Sequence, residues 1–84
     1  MSSDQPPTDD WDEIHGFVSP GEFRRFQNWI VKQVQEGALV EVQVEEPYSG
    51  SPLFDERWFH TTSGTVWRLV APDPPFRGVF ERVS

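Results

Sequence analysis

The segment from Val18 to Gly37 limits the possible folds more than any other part of the chain. Ser19 and Pro20 have the chemistry of a helix cap and a first helical residue, and Glu22 stands where a reciprocal capping partner belongs. Val18 before the cap and Phe23 after it fit a hydrophobic staple. Phe23, Phe26, Ile30 and Val34 then recur at spacings of three and four and share one stripe, with Trp29 and Val31 beside it. Gly37 is the expected stop. An isolated helix of this length is marginal in water, so its apolar stripe must pack against something else in the chain.

Beyond Gly37 the chain reads as strands. Residues Leu39 to Glu45 alternate, with Val40, Val42 and Val44 on one side and Glu41, Gln43 and Glu45 on the other. That is the pattern of a half-buried strand with an acidic outer face. The stretch EEPYSGSP is a loop. Arg57 to Thr62 and Thr65 to Ala71 flank Ser63-Gly64, which fits a two-residue hairpin turn. That turn sets His60 opposite Trp67 and Trp58 opposite Leu69, making Trp58, Trp67 and Leu69 the expected core face. It also sets Phe59 beside Arg68, in position for a cation–π contact. A slip of one residue would exchange the two faces. Pro72-Asp73-Pro74-Pro75 reads as a stiff, extended connection, and Gly78 to Val83 as a last strand. One helix and then about four short strands predict an α+β fold, with one N-terminal helix packed on a small antiparallel sheet.

Charge is distributed unevenly. The 84 residues carry a formal net charge of -7, from fourteen acids against seven Lys and Arg. Five of those acids fall in residues 1–13, leaving nine against the same seven bases in the rest. Residues 1–12 are therefore read as an acidic, disordered tail and 13–84 as a single domain. Between Gln33 and Glu56 six acids occur without one Lys or Arg. This balance argues against a nucleic-acid binder, which needs clustered bases to neutralise phosphates, and against an anionic membrane surface. No run is long and apolar enough to span a bilayer. The first residues, MSSDQPPTDD, lack the basic and apolar pattern of a secretory leader, so a cytoplasmic protein is expected.

The residues that carry chemistry are sparse. With no cysteine there is neither a disulfide staple nor a thiolate metal site. His15 and His60 are the two imidazoles, and neither sits in a metal-ligand spacing such as HExxH. Ser49, Ser51 and Ser63 lie in turn-like sequence rather than in a nucleophile elbow. No catalytic residue, metal ligand or cofactor is assigned, and the chain is not expected to be an enzyme. Four Trp and seven Phe are more than a thin two-layer core needs. Spare rings beside acidic loops have the composition of a protein-binding surface. The candidate surface is Glu41, Glu45 and Glu46 on the strand and its end, with Tyr48, Asp55 and Glu56 in the adjoining loop.

Glu56-Arg57-Trp58-Phe59, Val66-Trp67-Arg68-Leu69 and Pro72-Asp73-Pro74-Pro75-Phe76-Arg77-Gly78, together with the upstream SPGEFRRFQNWI, support a resemblance covering residues 17 to 83. In these pieces the chain resembles small bacterial immunity proteins of polymorphic-toxin and contact-dependent inhibition systems. The resemblance implies a cytoplasmic protein that binds and neutralises a cognate toxin by stoichiometric protein–protein contact, and the chain is expected to be a monomer in isolation. A nuclease with a basic cleft is one such toxin, because an acidic inhibitor is steered to it. The alternative is a small structural or adaptor module that completes a larger bacterial assembly.

Overall fold

Ser19 starts the helix in the computed structural model, which describes residues 11–83. Its hydroxyl accepts from the Glu22 backbone N–H at 3.1 Å, and Glu22 Oε1 accepts from the Val18 N–H at 2.6 Å. One donor of the first turn and the N–H just ahead of the cap are thus paired, and helix α1 runs over Pro20–Gln35. The staple is made by Phe17, not Val18. Phe17 is buried and meets Phe23 edge-on at 5.1 Å, whereas Val18 is 80% exposed. At the other end Gly37 takes φ +83°, a left-handed conformation that glycine adopts without a Cβ penalty. The Ala38 and Gly37 N–H groups then reach back to the Gln33 and Val34 carbonyls, closing a Schellman motif.

The helix is succeeded by four strands: β1 (Leu39–Val42), β2 (Glu56–Thr61), β3 (Val66–Val70) and β4 (Val79–Arg82). They pair antiparallel in chain order, forming a meander with α1 across one face, the α+β arrangement expected. Between helix and sheet lie Phe17, Ile30, Leu39, Phe59, Trp67, Leu69 and Phe80, with Trp67 and Phe80 stacked at 4.6 Å. Trp11, Ile14, Phe23, Phe26 and Trp29 close the rim of this core.

The β2–β3 register differs from the sequence expectation by one residue. Phe59 pairs with Trp67 and His60 with Val66, so Phe59, and not Trp58, shares the helix-covered face with Trp67 and Leu69. The cause is a three-residue loop, Thr62-Ser63-Gly64. The Thr61 hydroxyl takes the Thr65 N–H at 3.1 Å, and Gly64 sits at φ +94°. Arg68 consequently leaves Phe59, and Arg57 lies over that ring instead, at 5.6 Å. The same parity governs β1. Leu39 is buried under the helix, so Val40 and Val42 face the uncovered side, and Val40 is 50% exposed.

Two connections also depart from expectation. Pro72 to Phe76 is not an extended link, because Asp73 and Phe76 exchange backbone hydrogen bonds of 3.0 and 2.9 Å in a tight turn. Ahead of the helix, Ile14 and Phe80 exchange two of 2.8 Å, fixing the entering chain along the outer margin of β4. Trp11, at the end of the stretch read as a tail, packs edge-on against Trp29 at 4.8 Å. Residues 1–10 of that tail lie outside the described residues.

Candidate partner-binding surface

The sheet face away from α1 carries Val40 and Val42 from β1, Glu56, Trp58 and His60 from β2, Val66, Arg68 and Val70 from β3, and Val79 and Glu81 from β4. A second, smaller layer covers one end of it. The chain after Val42 turns through a single 3-10 turn, Tyr48–Gly50. There Tyr48, Phe54 and Phe76 form a ring cluster with centroids 4.9 to 5.7 Å apart.

Glu56 and Arg68 fasten that layer to the sheet. Glu56 Oε1 accepts from the Tyr48 N–H at 2.8 Å, and Oε2 accepts from Trp58 Nε1 at 2.7 Å and meets Arg68 Nε at 2.8 Å. Arg68 Nη1 donates to Glu81 at 2.9 Å and Nη2 to the Glu46 carbonyl at 3.4 Å. Its guanidinium lies 5.3 Å from the Tyr48 ring and 5.6 Å from that of Trp58, a cation held between two aromatic faces. With only 5% of its side chain exposed, Glu56 has no free capacity for a partner.

The uncovered end of the face is a hollow of 470 Å³ lined by Val42, Gln43, Glu45, Glu46, Trp58, Val66 and Val83. Val42, Trp58, Val66 and Val83 supply its apolar lining, and Gln43, Glu45 and Glu46 its polar lining. Glu45 and Glu46 are exposed, and neither side chain has an ion partner among the described residues. His60 stands beside Val66 on this face, with Nδ1 donating to the Thr61 carbonyl at 2.9 Å.

The six expected site residues therefore divide. Glu45 and Glu46 line the hollow. Tyr48 and Glu56 build the adjoining layer. Asp55 is exposed beside it, its carbonyl accepting from the Ala71 N–H at 2.9 Å. Glu41 is separated from them, on the helix-covered side of the free sheet margin. There Arg57 holds it with two hydrogen bonds of 2.8 and 3.0 Å. Those bonds, helped by the cation's charge and opposed by partial burial, hold the Glu41 carboxyl below its ordinary value. The same bonds raise Arg57. The sequence reading missed the apolar lining of the hollow, Trp58, Val66 and Val83, and the central position of Arg68. Leu39, one residue out of step with the valines, was the available signal.

Among the described residues no group of three or more His, Asp or Glu is placed to hold a metal ion, and no helix is long and apolar enough to cross a membrane. Compared with known proteins, the chain matches no family model, no curated protein and no solved structure.

Proposed function

We propose that the chain is a cytoplasmic immunity protein that binds and neutralises a cognate toxin domain in a one-to-one complex. The observation that supports this reading is the hollow on the open sheet face, lined by Val42, Trp58, Val66 and Val83 together with Glu45 and Glu46, which are exposed and in no ion pair among the described residues. An apolar centre bounded by charge is the anatomy of a specific protein interface. Carboxylates without internal partners are free to accept charge-assisted hydrogen bonds from Lys or Arg. They would also steer the approach of a basic surface such as a nuclease cleft. Tyr48 contributes aromatic area in the adjoining layer, whereas Asp55 lies at the far end of β2, where its charge acts on Arg57.

The test is capture of the tagged full chain from its host, identification of what is retained, and titration of that protein's toxic activity. Loss of activity at one equivalent is the expected result. The double variant E45K/E46K should keep its fold and lose at least about tenfold in affinity, with the loss largest at low salt, as removal of steering charges does. Capture of a multi-subunit assembly whose activity is unaffected would replace this reading with an adaptor role.

A further inference from the structure

We infer that the free margin of β1 accepts an extended segment of the partner protein as an added strand, one whose apolar side chains alternate with Lys or Arg. The inference rests on the partner-binding reading above and specifies how the partner is held.

The two margins of the sheet are unequal. Along β4 the entering chain is already bonded, through Ile14 to Phe80 and through Glu13 Oε2, which accepts from the Arg82 N–H at 2.9 Å. β1 ends the strand order on the other side and has no neighbouring strand among the described residues. Alternate residues of such a strand direct their N–H and C=O groups outward, ready to pair. Edge strands are usually protected by Pro, Lys or a bulge. Leu39–Val42 has none of these, and its one charge, Glu41, is neutralised by Arg57.

Exposed apolar side chains gather at this margin. Of the large exposed hydrophobics Val18, Val31, Val34, Val40 and Leu53, three border β1. Val40 stands on the strand itself. Val31 and Val34 line a 120 Å³ groove on the helix side with Ile30, Glu41, Arg57 and Phe59. On the opposite face lies the hollow that includes Val42. A strand laid along β1 would send successive side chains alternately toward these two depressions.

Charge decides the occupant. Glu36, Glu45 and Glu46 lie around this margin and are in no ion pair among the described residues, while the one base beside it, Arg57, is taken up by Glu41. A second copy would bring the same carboxylates to one seam, between two chains each of net charge -7. A basic strand meets them with the opposite sign.

The experiment measures amide hydrogen exchange in the full chain with a heptapeptide alternating Val and Lys. Exchange at Leu39–Val42 should slow at least about tenfold, as it does when open backbone becomes paired. The same peptide N-methylated at alternate residues should have no effect, and neither should one alternating Val and Glu. V40K should abolish the response while leaving α1 exchange unchanged. Equal protection by the N-methylated peptide, or no protection by any peptide, would overturn strand addition. Protection that appears without peptide and grows with protein concentration would assign the margin to a second copy and also overturn it. A toxin that is neutralised while the β1 amides of the complex still exchange freely would defeat this inference alone. Absence of any captured toxin would defeat the proposed function whatever the peptides do.

Discussion

Arg68 meets Glu56 at 2.8 Å on the open face of the sheet, and through that one carboxylate the loop after β1 is fastened to β2 and β3. The pair is shielded, with 16% and 5% of the two side chains exposed. Removing one partner leaves a buried charge without its counter-ion, a loss of about 3 kcal/mol or more. R68M should therefore shift the urea midpoint sharply. It should also speed amide exchange in the Tyr48–Gly50 turn. The double variant E56Q/R68M should recover part of the loss, since neither charge is then stranded.

The Glu41–Arg57 pair behaves differently because both side chains are well exposed, at 45% and 39%. Water and salt screen it, and its contribution is below about 1 kcal/mol. Its pH dependence has a definite sign. The folded Glu41 carboxyl lies below its ordinary value because Arg57 hydrogen-bonds the charged form. The stabilisation is complete above the ordinary glutamate range and is lost as pH falls through the lowered value. The stability difference between wild type and E41Q should shrink across that acidic interval and shrink again in high salt. Urea titrations at several pH values would measure it.

Gly78 is constrained twice over. It adopts φ +84°, and a Cβ there would lie 2.9 Å from the Val70 carbonyl, 3.0 Å from the Phe17 ring and 3.1 Å from the Pro72 nitrogen. Neither backbone contact can yield without moving β3 or the turn beyond it. G78A should cost more than about 2 kcal/mol, combining backbone strain with overpacking. G64A also places a side chain at positive φ, but into open space, and should cost about 1 kcal/mol. Thermal melts of the two variants give the comparison.

Trp11 touches Trp29, Trp67 and Phe80 with ring centroids 4.8, 6.0 and 6.3 Å away. W11A should lower stability by about 2 to 3 kcal/mol, less than the full burial value because the ring is half-exposed. Calorimetry of W11A against wild type tests this.

The helix was legible because its signals agree: a hydroxyl cap, Pro20 at the first position, apolar residues at three-and-four spacing, and Gly37 at the stop. The strand count was legible from alternation and turn residues. The faces were not, because alternation fixes which residues share a side and leaves open which side is covered. In β1 the valines looked like the inward set until Leu39, buried under α1, settled the parity the other way. At the hairpin, Ser63-Gly64 has the composition of a two-residue turn. The deciding bond is a side-chain one, from the Thr65 N–H to the Thr61 hydroxyl, and composition does not reveal it. The same limit applied to Glu56. Its neighbours in sequence mark it as a surface acid, while its two hydrogen bonds come from Tyr48 and Trp58 and its ion pair from Arg68, twelve positions away.

The Ile14–Phe80 bridge has a consequence for assembly. A sheet with two open sides can recruit copy after copy and grow into a fibre. Here Glu13 and Ile14 already engage Arg82 and Phe80 along one flank, which leaves less open backbone there than along β1. If β1 takes up a strand as proposed, that asymmetry favours a single added strand over a growing stack of copies.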